Sequence, residues 1–221
     1  MRYFPVNLDV RERTCLVVGG GAVGTRKTRT LLRAGARVTV VSPEASADLE
    51  TLAADGRIRL YRRAYTAADL AEAFLVFGTT DDHDLNCEIS ADARRRGILC
   101  NIADQPDRGQ FVLPSVVARG DLLIAISTSG KSPALARRIR LRLENDFGEE
   151  YALLIDLLGA LRRRMLAGGH DPRGHKQKFD ALLDSDLLDW IRNGDVERID
   201  RLLATHFGAG ANWTDLTAAK K

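Results

Sequence analysis

Gly19-Gly20-Gly21-Ala22-Val23-Gly24 has the spacing G-x-G-x-x-G, which suits backbone recognition of a pyrophosphate. The apolar run Thr14–Gly19 precedes it and reads as a strand buried on both faces. A helix is predicted directly after it, from Ala22 to Ala34, with Gly35 as the residue that ends it. In that setting Gly19 permits the tight turn, Gly21 lets the backbone approach a phosphate, and Gly24 allows close packing of helix on sheet. The N–H groups around Ala22 and Val23 and the positive end of the helix dipole would meet the anion. The chemistry implied is the binding of a dinucleotide, with hydride transfer as its use.

Other candidates belong at the same end of a parallel sheet. The second predicted strand, Arg37–Val41, is closed by Ser42-Pro43. An acid at that point would hold the ribose hydroxyls of NAD, and a base would accept the 2′-phosphate of NADP. Ser42 is neither, but its hydroxyl can bond a ribose and no Arg or Lys adjoins it, so NAD is favoured. Thr79-Thr80-Asp81-Asp82 follows the fourth strand, where open α/β sheets bind ligands, and one of these residues could equally cap the next helix. Asp104 follows the fifth strand in the same crevice and is a candidate proton acceptor near the nicotinamide end. Lys131, Arg137, Arg138, Arg140 and Arg142 occur with no acid between positions 129 and 143. Either this is a solvated face or it receives a polyanion, since arginine binds carboxylates with two prongs. Arg138 and Arg142 share one face of the predicted helix, opposite an apolar stripe of Leu135, Ile139 and Leu143.

The elements that position these residues alternate up to about residue 113. After the second strand come a helix over 43–54, a strand at Ile58–Tyr61, a helical stretch at 67–73 and a strand at Leu75–Gly78. A helix over 82–96 and a strand at Ile98–Ile102 close the series. Strands joined by crossover helices predict a Rossmann-like parallel sheet covered on both faces. The rhythm then changes to two β-rich segments, 110–117 and 121–127, separated by Ala118-Arg119-Gly120. A helix capped by Ser132, with Pro133 at its first position, runs to about Asn145, and only helical patterns follow. The predicted division is a nucleotide-binding domain at 1–113, a small β-rich region at 114–148 and a helical domain at 149–221. A lone hairpin is barely stable in water, so a second subunit is expected to cover the hairpin's edges, giving a homodimer.

The 221 residues carry a formal net charge of only +3, spread almost evenly along the chain. No basic tail or domain is present, which argues against nucleic acid as a partner. No apolar run is long enough to span a bilayer, and no signal peptide is visible. Cys15, Cys87 and Cys100 show no C-x-x-C spacing and read as reduced thiols of a cytoplasmic protein. His83, His170, His175 and His206 form no metal-ligand pattern, so no resident metal is expected; His170 and His175 read as solvated.

The arrangement resembles the precorrin-2 dehydrogenase/sirohydrochlorin ferrochelatase family, the N-terminal module of sirohaem synthase. The resemblance rests on Pro5-Val6, the stretch Cys15 to Lys27, Gly78 to Asp82 with Asn86, Cys100 to Pro106, Phe111 to Val117 and Ile126 to Arg137. It is specific over roughly 1–145 and holds only in kind beyond. It implies a Rossmann domain, a dimerisation region and a helical domain. The implied activity is NAD-dependent oxidation of precorrin-2 to sirohydrochlorin, with Fe²⁺ insertion in many members. It places the family's important aspartate on Asp104. A serine that can be phosphorylated in some members falls on Thr128, where the residue differs, so that regulation does not carry over. Thr128, Ser129, Lys131, Ser132 and Arg138 are the residues expected to meet the carboxylates of a tetrapyrrole. At this length no methyltransferase half is expected. Two alternatives remain open: a dehydrogenase without chelatase activity, and a nucleotide-sensing regulatory module.

Overall fold

The computed structural model describes residues 2–168, 171–208 and 210–218, so the reading of His170 as solvated lies outside the described residues. The chain forms two compact units, Met1–Leu113 and Pro114–Lys221.

The first unit is built on five parallel strands: β1 (Thr14–Gly20), β2 (Arg37–Ala45), β3 (Ile58–Tyr61), β4 (Leu75–Gly78) and β5 (Leu99–Ile102), in the order β3-β2-β1-β4-β5. The helices α1 (Ala22–Arg33), α2 (Ala47–Ala54) and α3 (His83–Arg95) connect them. The alternation of side chains across β1 builds two cores. Cys15 and Val17 pack with Leu31, Val38, Val40 and Leu49 on one face. Leu16 and Val18 pack with Leu70, Val76, Ile89 and Cys100 on the other. That is why β1 reads as unbroken apolar sequence: it has no solvent face. The order reverses between β1 and β4, and a crevice at the carboxyl ends of the strands follows from that reversal.

Four boundaries differ from the sequence reading. Ser42-Pro43 does not close β2, which continues to Ala45. The register against β1 shifts between Val18 and Gly20, and the Gly20 N–H donates to the Ser42 hydroxyl at 3.0 Å, so proline is accommodated beside an irregular ladder. The helix expected over 43–54 therefore starts at Ala47, capped by the Ser46 hydroxyl. The stretch over 67–73 is one 3₁₀ turn, Ala67–Leu70. The β segment expected from 110 starts only at Ser115. Gln110 is instead tied to β5: its N–H donates to the Cys100 carbonyl at 2.9 Å, and its side-chain oxygen accepts from the Cys100 N–H at 2.8 Å.

The second unit opens with an antiparallel hairpin, β6 (Ser115–Arg119) and β7 (Leu122–Ile126), turned at Gly120 with φ +54°. The helices α4 (Pro133–Asp146), α5 (Glu150–Ala167), α6 (Pro172–Leu183), α7 (Leu187–Asn193), α8 (Val196–Phe207) and α9 (Trp213–Ala218) follow. Leu157, Leu161, Leu182, Leu187, Ile199 and Leu203 form the centre of their core. Ser132 caps α4 as its sequence indicated, accepting from the Leu135 N–H at 3.2 Å. The apolar stripe of α4 does not meet this core: Ala136 is buried, while Leu135 and Ile139 are exposed and Leu143 is half-buried. Amphipathic periodicity identified a helix face without indicating what covers it.

Among the described residues no helix is long and apolar enough to cross a membrane. All three cysteines are free, and burial pushes the thiols of Cys15 and Cys100 up to about 11.

Lys27, on α1, lies half-buried with its ammonium 5.5 Å from the centre of the Phe77 ring. Burial, with the neighbouring Arg26 charge, pushes its pKa from 10.5 down to about 8. Between those two values the unfolded chain holds a proton that the fold releases, so this group makes stability rise with pH across that window. Lys27→Met is expected to melt above the wild type at pH 7, with the gap closing as pH approaches 10. A gap independent of pH, in melting curves taken from pH 7 to 10, would contradict this reading.

Candidate active site

The glycines of the loop after β1 answer to different demands. Gly19 has φ +112°, and a Cβ there would come within 2.8 Å of the Thr79 backbone. A Cβ on Gly20 would overlap the Glu44 carbonyl oxygen, and one on Gly24 would overlap that of Gly19. Gly21 is unlike them. Its φ of −77° is open to any residue, and beyond its two chain neighbours nothing lies within 4 Å of where its Cβ would stand.

Gly21 is also the N-cap of α1, which has no side-chain cap and no acidic residue in its first turn. The first N–H groups of the helix, at Ala22 and Val23, therefore carry the partial positive charge of the helix end. The Gly21 carbonyl is held by the N–H and hydroxyl of Thr25, both at 2.9 Å, and that hydroxyl lies 2.8 Å from the Ser46 hydroxyl. An open cradle facing an uncapped helix start fits the phosphates of a dinucleotide. Ser42 is buried, and its hydroxyl oxygen is committed to the Gly20 N–H, so it supports the loop from beneath; Pro43 beside it is exposed.

The loop after β4 carries a second network. The Thr79 hydroxyl donates to the Val18 carbonyl at 2.8 Å and ties β4 to β1. Thr80 Oγ1 lies 3.0 Å from both the Asp82 carbonyl oxygen and Asn86 Oδ1. Asp82 is the capping member of the group, accepting from the N–H groups of Asp84 and Leu85, while Asp81 is exposed. Asn86, fully buried on α3, donates to the Thr80 carbonyl at 2.9 Å, and its amide nitrogen reaches Asp104 Oδ1 at 3.5 Å. The Gln105 amide lies 3.4 Å from the other carboxylate oxygen. Asp104 is thus an exposed carboxylate with an amide donor beside each oxygen.

Asn86 is the residue missing from the candidates drawn from sequence. The signal was available: it shares the inward face of α3 with Ile89, Ser90 and Ala93. A buried amide on a core-facing stripe needs partners. Its partners here are the crevice loop and Asp104.

In the second unit Thr128, Ser129, Gly130, Lys131 and Ser132 form the turn before α4. The Thr128 hydroxyl accepts from the Ser132 N–H at 3.1 Å, its carbonyl accepts from the Lys131 N–H at 3.0 Å, and Ser129 and Gly130 both have positive φ. Arg140 is paired with Glu144. Lys131 and Arg138 are exposed.

The sheet order, the glycine turn and the crevice loops define a Rossmann-type dinucleotide-binding protein. A family model described as putative NAD(P)-binding matches residues 6–115, and one described as sirohaem biosynthesis protein central matches 119–146. Together they span more than half of the chain. The siroheme synthase of Methylococcus capsulatus is 36% identical over 211 residues, which is 96% of this chain and 44% of that protein. Siroheme synthase 1 of Serratia proteamaculans is 43% identical over 144 residues, 65% of this chain and 30% of its own length. The solved structure of SirC, precorrin-2 dehydrogenase, superposes with a TM-score of 0.74 at 28% identity, covering 90% of this chain and all of that one. The chain belongs to the precorrin-2 dehydrogenase/sirohydrochlorin ferrochelatase family, the N-terminal module of sirohaem synthase. It spans less than half the length of the siroheme synthases it matches.

Proposed function

We propose that this chain oxidises precorrin-2 to sirohydrochlorin with NAD as the oxidant, and that it inserts Fe²⁺, as a substrate, to give sirohaem. The observation that carries the reading is the open cradle at Gly21 on the same carboxyl edge of the sheet as the Asn86-held carboxylate of Asp104. The loop at 19–24, supported by Ser42 and with Pro43 and Thr79-Thr80-Asp81 around it, would hold the dinucleotide, which when bound supplies the hydride acceptor. Oxidation also releases one proton, and Asp104 takes it, its two oxygens oriented by Asn86 and Gln105. In chelation two pyrrole N–H protons leave as the metal enters, and the same carboxylate can accept them one after the other. Thr128, Ser129, Lys131, Ser132 and Arg138 bind the carboxylates of the tetrapyrrole, Lys131 and Arg138 by charge. The three free thiols accord with a reduced, cytoplasmic setting.

Anaerobic absorbance spectra test both activities. Precorrin-2 with NAD⁺ is expected to give the sirohydrochlorin spectrum, and added Fe²⁺ to convert it to that of sirohaem. No change with NAD⁺ would overturn the dehydrogenase; a change with NAD⁺ but none with Fe²⁺ would leave a dehydrogenase alone.

We further propose a homodimer formed through β6 and β7. Val116 and Leu123 stand 40% and 52% exposed on this two-stranded sheet, too much apolar surface for strands with free edges. Sedimentation is expected to give a dimer at micromolar concentration and a monomer for Leu123→Arg. A monomeric wild type would contradict it.

A further inference from the structure

His83 and Cys87 lie one turn apart on α3, with the imidazole Nδ1 3.5 Å from the thiol sulfur. His83 is the first residue of α3, so the pair stands where the chain leaves the crevice loop of β4, at the carboxyl edge of the sheet. The residue before Cys87 is Asn86, whose amide reaches Asp104. Both side chains are accessible: His83 is exposed and Cys87 half-buried, whereas Cys15 and Cys100 are sealed in the two cores.

The separation has a metrical meaning. A transition metal bound by thiolate and imidazole takes metal–sulfur and metal–nitrogen distances of about 2.3 and about 2.05 Å. At a tetrahedral angle those two bonds hold sulfur and nitrogen about 3.6 Å apart. The observed 3.5 Å therefore needs no rotation of the helix and little adjustment of either side chain. Asp84 Oδ1 lies 3.7 Å from the same Nδ1, a negative charge beside the position a cation would take. Among the described residues no three His, Cys, Asp or Glu side chains come together as a group that could hold a metal ion, so Asp84 is not a third donor to this pair. The pair thus supplies two donors and leaves the remaining positions open, which suits a metal that is taken up and released over one that is kept.

We propose that His83 and Cys87 form an open binding site for a borderline-soft divalent transition metal, of the class Fe²⁺, Co²⁺ or Zn²⁺. Binding replaces the thiol proton, which passes to solvent, so occupancy rises with pH. The site requires neither the chelatase activity nor Asp104, although its position at the crevice edge would let it present a metal there.

The test is a titration of the reduced full-length chain with Co²⁺, read in the near-ultraviolet thiolate-to-cobalt charge-transfer band. The band is expected in the wild type and in Asp104→Asn, to be lost in Cys87→Ser, and to need markedly more Co²⁺ in His83→Gln. Far-ultraviolet circular dichroism of each variant checks that the fold is unchanged. No band in the wild type, or a band that survives in folded Cys87→Ser, would overturn the proposal. Because the readout is optical and uses no tetrapyrrole, it is independent of the outcome of the sirohaem assays.

Discussion

Gly21→Ala is expected to fold and melt like the wild type and yet to bind NAD⁺ about 10- to 100-fold more weakly, a loss of about 1.4–2.8 kcal/mol. Beyond its two chain neighbours nothing lies within 4 Å of the added methyl, and the backbone there is already in a region open to any residue. The methyl group would take up the space into which the uncapped N–H groups of α1 point, the place where a phosphate must come close. Gly24→Ala is the contrasting variant. Its methyl would overlap the Gly19 carbonyl, so stability itself is expected to fall, by about 1–3 kcal/mol or more. Titration of NAD⁺ by calorimetry, beside thermal melts of both variants, separates the two cases. Equal nucleotide affinity in wild type and Gly21→Ala would remove the phosphate from this loop.

Asp104→Asn is expected to lower kcat for precorrin-2 oxidation by about 10²–10⁴, the range that positioned acid–base groups contribute, with NAD⁺ affinity unchanged. The substitution keeps the shape and removes the ability to take a proton. Asn86→Ala tests the support of that group. It removes the amide at Asp104 Oδ1 and the bond to the Thr80 carbonyl, so kcat should fall less than in Asp104→Asn. A positioning role also predicts that kcat falls while the KM for precorrin-2 and the affinity for NAD⁺ are kept in Asn86→Ala, which a general structural loss would not produce. If Asp104→Asn oxidises precorrin-2 at the wild-type rate, Asp104 is not the base.

The strands that build the first unit were legible because burial on both faces leaves unbroken apolar runs, as in Thr14 to Val18 and Leu75 to Phe77. Helix starts were legible where a cap is a single residue, as at Ser132. What the sequence hid depends on partners far along the chain. Pro43 looks like a strand end until the register shift beside Gly20 is seen, and Gln110 looks like the start of a strand until its two bonds to Cys100 are seen. Within the candidate site the glycine spacing was plain, and so were the separate roles of Gly19, Gly21 and Gly24. What the spacing did not reveal is that Gly20, an unspecified position of the pattern, is required by packing against Glu44. Asn86 stood among the residues of the family resemblance but not among the candidate site residues, because its value lies in where α3 points it.

The two bonds between Gln110 and the Cys100 peptide also bear on self-association. An outermost strand normally offers a row of unpaired donors and acceptors to any passing chain. At Cys100 both the N–H and the carbonyl of β5 are already taken by Gln110, and the neighbouring Asn101 amide bonds the Phe111 carbonyl at 2.9 Å. The segment 110–111 works as a border stitched along that side of the sheet, blunting it against unwanted strand-to-strand growth.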